Sequence, residues 1–497
     1  MILEQKGPQG LKGLKGRKGV LDVLCVFWVL SPGLLSAEPP ALRPCADPAL
    51  PKDARCATYE VFENRAAKTG RKIPLRVAVV PALGKDRLPD PVVFFNGGPG
   101  NSSVRVARGL AQALAPLRQR RDILLVDFRG TGGSAPLECP ELLGSGSVQE
   151  WLDSYRPSDK VRACHERLSR TVDLAQYTTD NAVDDVDEVR AALGYPRLNL
   201  AGSSYGSRAV LVYLRRHPES VRTALLEGVA RTYDRGPLFF ARTAQGALDA
   251  LVAECAEDAG CAGAFPHLKD EVTAVFDRAG REPVTVGLVD SKTGEGREVR
   301  LSRSGVAQVV RYMLYESDWA LEIPRLLHQA AQGDWKPLAE KAVAMAGLGR
   351  SQAPDGYYLS ITCSEDVPFI RDEEIAPAVA GTFLGDFRIR QQREACAAWN
   401  VPKVPAGYLE PVASDVPVLV VNHGRDPVTP ASDGEEAART LRHSRTILVP
   451  YAGHSTDGLE GTECLDALWV KLVEDGSADR LDTSCVAKIR RPAFPLK

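Results

Sequence analysis

Ser204 lies in the segment Gly202-Ser-Ser-Tyr-Gly206, which has a Gly-x-Ser-x-Gly pattern. The apolar run 198–201 precedes it, and a helix-like stretch, 208–216, follows it. At a sharp strand-to-helix turn, backbone strain lets a serine hydroxyl project freely, and flanking glycines let strand and helix approach closely. The sequence therefore predicts that Ser204 is a nucleophile; the plainer alternative is a tight Gly/Ser turn.

Two further residues could activate that hydroxyl, because a serine needs a base to take its proton and an acid to orient the base. Asp426 follows the apolar run 418–422, and His454 follows the run 446–449, so each stands just past a predicted strand. The order serine, acid, histidine is that of a triad on an α/β sheet. Ser204, Asp426 and His454 are the predicted nucleophile, orienting acid and general base.

The acid and the base each have a plainer alternative. An aspartate before Pro427 is a common turn former, and His454 could be a structural loop histidine. His423 is the rival base, but it adjoins the end of a predicted strand and is expected to pack there. Position and chain order favour the catalytic interpretation.

A glycine-rich segment, Asn96-Gly-Gly-Pro-Gly100, follows the predicted strand 92–95. Acyl transfer develops negative charge on an oxygen, and glycines let backbone N–H groups approach that oxygen. The N–H of Tyr205, the residue after the serine, is the expected second donor. The segment has neither the spacing nor the lysine of a phosphate-binding loop. The nearby Asp127 and Arg129 are expected to brace the site loops.

The segments that must position these residues alternate between strand and helix patterns. This alternation predicts an α/β fold with a mostly parallel sheet covered on both faces, whose ligand sites lie at the carboxyl ends of the strands. The predicted strands are 75–80, 92–95, 123–127, 198–201, 224–226, 418–422 and 446–449, and the predicted helices between them are 104–117, 182–193, 207–216 and 435–441.

Between residues 231 and 410 the strand series stops. The predicted elements there are helices 241–259, 268–279, 305–315, 321–332 and 335–346, with one possible hairpin, 284–289 and 298–301. We interpret this block as an inserted, mainly helical cap over the strand ends. The predicted division is a core in two parts, 38–230 and 411–497, with the cap 231–410 between them.

The first 37 residues have the pattern of an export signal. Basic residues precede an apolar run, 20–30, and Leu35-Ser-Ala37 fits a cleavage site. The apolar run is too short for a membrane span. The sequence therefore predicts a signal peptide, 1–37, and a secreted or periplasmic protein with no stable membrane insertion once the signal is removed.

Cysteine usage agrees with export. Beyond Cys25, ten cysteines form neighbouring couples along the chain, and an even number in an exported protein favours disulfides. No Cys-x-x-Cys knuckle is present, so a metal site is not predicted. Pairing does not follow from sequence, but the simplest proposal is Cys45–Cys56, Cys139–Cys164, Cys255–Cys261, Cys363–Cys396 and Cys464–Cys485.

The composition is that of a globular protein without a strong electric field. The chain has 497 residues, 44% of them hydrophobic, and a formal net charge of −2. Nucleic acid is therefore not an expected partner. The sequence leaves the oligomeric state open.

Taken together, these motifs resemble those of the proline iminopeptidase and tripeptidyl aminopeptidase group of α/β-hydrolases. The motifs are Asn96-Gly-Gly-Pro-Gly, Asp127-x-Arg-Gly-x-Gly-x-Ser, Gly202-x-Ser-x-Gly, Asp426-Pro-Val-Thr-Pro and Gly-His454. The resemblance implies an α/β-hydrolase fold, cleavage of peptides near the N-terminus, and no metal or organic cofactor. It also implies the triad Ser204, Asp426 and His454, with Gly98 and Tyr205 as the oxyanion hole.

The resemblance has one departure at Asn96, where proline iminopeptidases usually carry histidine. This favours the tripeptidyl side of the group. An aminopeptidase must also hold a cationic N-terminus, and a poorly screened carboxylate would do so. Glu365, Asp366 and Glu227 are the predicted amine-binding residues, with a solvated loop carboxylate as the alternative for each.

Two other functions remain open at this point. The same triad would serve a carboxylic-ester hydrolase, and a non-catalytic binding protein could have the same fold. The presence of all three triad residues argues against the binding protein, and a serine nucleophile argues against an epoxide hydrolase or dehalogenase.

Overall fold

A mostly parallel sheet forms the centre of the protein in the computed structural model, which describes residues 40–143, 147–154, 156–289, 294–348 and 354–497. The predicted signal peptide lies outside the described residues. The strands of the described chain are β1 Arg43–Pro44, β2 Arg55–Phe62, β3 Lys72–Val80, β4 Val92–Phe95, β5 Ile123–Val126, β6 Leu198–Ser203, β7 Val221–Glu227, β8 Val284–Val289, β9 Gly296–Leu301, β10 Val418–His423 and β11 Ser444–Val449.

Helices connect and cover these strands. Their bounds are α1 Ala107–Ala113, α2 Val148–Asp153, α3 Ser158–Leu168, α4 Thr179–Ala192, α5 Tyr205–Arg216, α6 Phe240–Glu257, α7 Ala259–Ala264, α8 Leu268–Arg281, α9 Arg303–Met313, α10 Ser317–Ala320, α11 Ile323–Ala331, α12 Lys336–Leu348, α13 Asp355–Glu365, α14 Asp372–Val379, α15 Phe387–Trp399, α16 Ala431–Ala438 and α17 Glu463–Asp475.

The main sheet of the described residues has the order β1-β2-β3-β5-β4-β6-β7-β10-β11. The strands from β5 to β11 in this order run parallel, whereas β1, β2 and β3 pair antiparallel at one side. Parallel strands buried on both faces are continuous apolar runs, as in Ile-Leu-Leu-Val of β5 and Val-Leu-Val-Val of β10. The predicted α/β fold with a doubly covered sheet is confirmed.

Two hydrophobic clusters lie against the sheet. One joins sheet residues to α4 and α5, and the other joins them to α1 and α17. A third cluster is separate from the sheet and is formed by the helical block, chiefly α6, α8, α9, α11 and α12. Strands β8 and β9 form their own antiparallel pair beside that block.

The predicted cap, 231–410, divides between these clusters. Its first part supplies the separate helical cluster. Tyr357 and Ile361 of α13 and Trp399 of α15 belong instead to a cluster on the sheet. The cap boundaries remain a prediction, and the packing assigns α13 and α15 to the sheet side of that block.

The structure forms disulfides between the predicted partners. The bonds are Cys45–Cys56, Cys139–Cys164, Cys255–Cys261, Cys363–Cys396 and Cys464–Cys485. In the described part of the chain, no helix combines the length and the apolar character needed to cross a membrane.

Candidate active site

Ser204 lies at the sharp turn between β6 and α5. Its backbone has φ 57° and ψ −125°, a strained conformation for a residue other than glycine. A Cβ atom on Gly206 would stand 1.9 Å from the carbonyl oxygen of Phe95, and one on Gly202 would stand 2.2 Å from that of Gly206. Only glycine at both positions lets strand and helix pack this closely, so the motif dictates the turn that presents the hydroxyl.

His454 joins the nucleophile to the acid. Its Nε2 lies 2.9 Å from Oγ of Ser204, and its Nδ1 lies 2.8 Å from Oδ2 of Asp426. The three side chains come from the carboxyl ends of β6, β10 and β11. The structure therefore brings the predicted nucleophile, base and acid into one hydrogen-bonded chain.

Asp426 is held by the turn that follows it. Its carboxylate accepts hydrogen bonds from the N–H groups of Val428 and Thr429, at 2.8 and 2.9 Å, and from the Thr429 hydroxyl at 2.7 Å. Burial alone would raise the pKa of this carboxyl, but His454 and these donors lower it overall. Asp426 is thus ionised and oriented toward the imidazole.

The loop after β11 that carries His454, here called the histidine loop, is hydrogen-bonded to the helical block. Ser317 donates its hydroxyl to the carbonyl of Ser455 at 2.8 Å and accepts the N–H of Gly453 at 3.0 Å. The ring of Tyr315 meets the His454 imidazole edge to face, with centroids 5.2 Å apart. Tyr315 and Ser317, at the junction of α9 and α10, therefore fix the base from outside the sheet.

Gly98 and Tyr205 both line the cavity beside Ser204. Within the described residues, neither backbone N–H has a hydrogen-bond partner, whereas the N–H of Gly97 is taken by the Asn96 side chain at 2.8 Å. A helix leaves its first N–H groups unbonded, and Tyr205 begins α5. Two free donors beside the nucleophile are what an oxyanion hole needs, and that role remains a prediction.

Asp127 braces the loop that carries Gly98. Its buried carboxylate accepts hydrogen bonds from the Ser102 hydroxyl at 2.6 Å and from the N–H groups of Val104 and Gly133, at 3.0 and 2.9 Å. Arg129, fully buried, pairs with Asp185 through two nitrogens. The Asp127 contacts tie the loops after β4 and β5 together, and the Arg129 pair ties the loop after β5 to α4, in agreement with the bracing role expected from the sequence.

His423 is buried at the end of β10, as expected, and the serine pairs with His454 instead. Its ring nitrogens face two carboxylates, with Nε2 3.4 Å from Glu227 and Nδ1 3.9 Å from Asp426. Burial disfavours the charged ring, but Glu227 outweighs that effect and raises the pKa of His423. The rival histidine is part of the support around the acid.

The structure places Glu365, a predicted amine-binding residue, outside the lining of the cavity beside Ser204. Glu365 is 0% exposed and does not line the cavity. Its carboxylate accepts hydrogen bonds from the N–H and hydroxyl of Thr179, at 2.6 and 2.8 Å, and from the Tyr408 hydroxyl at 2.6 Å. Burial raises the pKa of this carboxyl to about 7. Glu365 is a structural acid, because the protein already supplies its partners.

The two other predicted amine-binding residues are also engaged. Asp366 lines the cavity, but both its oxygens pair with Arg208, at 2.9 and 3.0 Å. Glu227 faces His423 and does not line the cavity. Glu227 ends strand β7, whereas Glu365 and Asp366 lie at the C-terminal end of α13, and the sequence carries no signal for which of these carboxylates the protein itself has engaged.

A cavity of about 850 Å³ opens over the triad and is lined by residues from both the sheet loops and the helical block. Two residues that line this cavity belong to no motif, so the sequence analysis did not identify them. Glu316, between α9 and α10, has a buried oxygen without a hydrogen-bond partner in the described chain, and burial raises the pKa of its carboxyl. Arg311 of α9 is the other.

Comparison with known proteins finds a family match and long sequence similarities. A family model described as alpha/beta hydrolase fold matches residues 90–456. The serine protease Hip1 of Mycobacterium tuberculosis is 27% identical over 472 residues, 84% of each chain. The tripeptidyl aminopeptidase of Streptomyces lividans is 25% identical over 482 residues, 88% of this chain and 85% of that one.

Among solved structures, the proline iminopeptidase of Mycobacterium smegmatis aligns with 84% of this chain and 98% of its own, at 15% identity and a TM-score of 0.38. The resemblance drawn from the motifs is confirmed by the family match and by the two long sequence similarities.

Proposed function

Because the chain belongs to the α/β-hydrolase fold family, we propose that it is an exported serine peptidase that cleaves peptides near their N-terminus. The hydrogen-bonded chain from Ser204 through His454 to Asp426 carries the proposal. Similarity to a serine protease and to a tripeptidyl aminopeptidase supports a hydrolase of the peptidase type.

The triad would act in two steps. His454 Nε2 takes the proton of the Ser204 hydroxyl as Oγ attacks the peptide carbonyl, and the N–H groups of Gly98 and Tyr205 stabilise the oxyanion. His454 then gives the proton to the leaving amine, which departs and leaves an acyl-enzyme. Water, deprotonated by the same imidazole, releases the N-terminal fragment and restores the serine.

Glu316 is our replacement for the three predicted amine-binding residues. It lines the same cavity, and none of the described cations forms an ion pair with it. Glu316 is half-buried, and one of its oxygens is buried without a hydrogen-bond partner among the described residues, so this carboxylate would gain from a positively charged donor. We therefore assign the substrate's terminal ammonium to Glu316.

Export fits the covalent structure. Disulfides persist in oxidising compartments such as the periplasm or the extracellular space, and the described chain contains five of them. The signal pattern of residues 1–37 is the second support for secretion.

A combined labelling and turnover experiment tests the function. A fluorophosphonate probe should label the wild type and not Ser204→Ala, and peptide nitroanilides with a free amine should be cleaved faster than their N-acetylated forms. Cleavage of nitrophenyl esters with no peptide hydrolysis would make the protein an ester hydrolase. Absence of both labelling and turnover would make it a binding protein.

The amine assignment has its own test. Glu316→Gln should raise KM for free-amine peptides by about tenfold or more, because a charged hydrogen bond is lost. N-acetylated peptides should be affected much less. Glu322→Gln is the matched control, since Glu322 already pairs with Lys341 at 2.7 Å. Equal effects of Glu316→Gln on both peptide forms would remove the assignment.

A further inference from the structure

Arg311 is a buried cation in the wall of the catalytic cavity. It is 3% exposed and lies on α9, five residues before Glu316. Within the described ranges of the chain, no carboxylate forms an ion pair with its guanidinium. A charge taken out of water needs a partner, so an unpaired arginine in a cavity wall is unusual.

Aromatic rings hold the guanidinium in place. Its centre lies 5.0 Å from the ring centroid of Phe240 and 5.1 Å from that of Tyr315, and Nη2 donates to the Tyr315 hydroxyl at 2.9 Å. Nε has no hydrogen-bond partner among the described residues. These contacts orient the guanidinium, but cation–π contacts compensate only part of the solvation free energy that a charged group loses on burial.

Other arginines of the same wall are neutralised by the protein itself. Arg208 pairs with both oxygens of Asp366, and Arg231 pairs with Asp234 at 2.6 Å and Asp433 at 2.9 Å. The contrast shows that this cavity does not lack carboxylates to pair with arginine. Among the described residues, Arg311 forms no such ion pair and is left with the Tyr315 hydroxyl and two aromatic rings.

The position of Arg311 relates it to the chemistry. Tyr315, which receives its hydrogen bond, contacts the His454 imidazole edge to face. One aromatic ring therefore separates the guanidinium from the base. An anion bound at Arg311 would lie close to the scissile bond.

We propose that Arg311 binds a carboxylate of the peptide substrate beside the scissile bond; this inference rests on the proposed peptidase function. Guanidinium and carboxylate match in a planar pair of parallel hydrogen bonds. The carboxylate comes either from an acidic side chain or from the C-terminus of a short peptide. With Glu316 on the same segment, the wall offers one partner for each end of a zwitterion.

Matched alanine-based tetrapeptides test the proposal. In one set a single position is Glu or Gln, scanned along the peptide, and in the other the C-terminus is a free acid or an amide. Wild type should prefer the carboxylate form in one of the two sets, which identifies the source. Arg311→Gln should lower kcat/KM for that form by at least about tenfold and abolish the preference.

Two further variants keep the result interpretable. Arg311→Lys retains the charge without the planar fork and should show an intermediate preference. Arg303→Gln is the control, because Arg303 also lies on α9 and over an aromatic ring, 5.6 Å from Phe276, but does not line the cavity. It should keep the wild-type preference. If wild type shows no preference in either set, or if Arg311→Gln leaves the preference intact, the proposal is overturned.

Protection of the serine separates this proposal from the function. The carboxylate and amide peptides are compared for their ability to slow fluorophosphonate labelling of Ser204, a readout that needs no turnover. Slowing by both forms equally, with peptide hydrolysis observed, rejects only the role of Arg311. If the protein shows neither labelling nor hydrolysis, the peptidase function itself is rejected.

Discussion

The loops at the strand ends and the helical block contribute to one cavity in different ways. The loops hold Ser204, Asp426 and His454. Each of these residues comes after a strand that can be recognised in the sequence as an apolar run. The helical block provides Glu316 and Arg311 from a segment without a motif. The proposed catalytic residues are therefore encoded by local motifs, whereas the proposed recognition residues depend on the packing of a separate cluster of helices.

The two regions should therefore respond differently to substitution. Changes in the loops should reduce turnover for every substrate, because they act on the reacting atoms. Changes in the helical block should alter stability or discriminate between substrates.

Ser204→Ala should lower kcat by about 10⁶-fold, because the attacking oxygen is lost. Hydrolysis of any active substrate measures this, together with loss of fluorophosphonate labelling. Ser203→Ala, at the neighbouring serine of the motif, should retain both activity and labelling. If labelling disappears in Ser203→Ala and survives in Ser204→Ala, the nucleophile is Ser203 and the assignment to Ser204 is contradicted.

Asp426→Asn should lower kcat by about 10⁴-fold, because an amide cannot stabilise the imidazolium or hold the required tautomer. The loss should be similar for free-amine and N-acetylated peptides, which separates it from the Glu316 effect. Asp457→Asn, at an exposed acid of the histidine loop, is the control. A strongly substrate-dependent loss in Asp426→Asn would contradict the division between the two regions.

Leu327→Ala and Leu226→Ala compare the two regions in stability. Leu327 is fully buried in the helical cluster and Leu226 in the sheet cluster, so each truncation should lower the free energy of unfolding by about 2–5 kcal/mol. Denaturant unfolding followed by far-UV circular dichroism measures the change. If the regions form one cooperative unit, both variants shift the same transition; a second transition in Leu327→Ala alone would show that the helical cluster unfolds separately.

Glu365→Gln should change how stability depends on pH. Burial raises the pKa of Glu365 in the folded state to about 7, above the ordinary glutamate value of 4.5, so between these values the native state binds more protons than the unfolded state. Stability from this group therefore falls as pH rises from about 5 to above 7, by up to about 3 kcal/mol. Denaturant titrations at pH 5 and pH 8 should show a smaller fall in Glu365→Gln than in the wild type.

The control for that comparison is Glu394→Gln, an exposed acid on α15. It should leave the pH dependence as in the wild type. An unchanged pH dependence in Glu365→Gln would show that the buried carboxyl does not titrate in this range.

The sequence predicted the parts of the fold whose pattern is local. Strand β4 begins and ends at the predicted residues, and the predicted hairpin corresponds to β8 and β9. Strand β2, Arg55–Phe62, was not predicted, because its alternation of Arg, Thr and Glu with apolar residues is weak on a half-exposed side of the sheet. Helices α13 and α15 were not predicted as such, since they are buried among the sheet cluster and lack an amphipathic stripe.

Part of the candidate site could also be predicted from local sequence patterns. The triad could be predicted because strand ends of a parallel sheet meet at one edge. The hydrogen bonds that engage Glu365 could not be predicted, because their donors Thr179 and Tyr408 come from distant parts of the chain. No spacing in the sequence indicates which carboxylate a distant cation neutralises, and that information decides between a binding residue and a structural one.

In the proposed peptidase, the anchoring of the histidine loop by Ser317 would link substrate choice to the timing of proton transfer. The segment that grips Gly453 and Ser455 is continuous with the one that carries Arg311 and Glu316. A peptide that binds poorly to this segment should disturb the alignment of the His454 imidazole as well as its own position. Discrimination should then be expressed in kcat more than in KM, so that an unsuitable peptide occupies the enzyme and acts as an inhibitor.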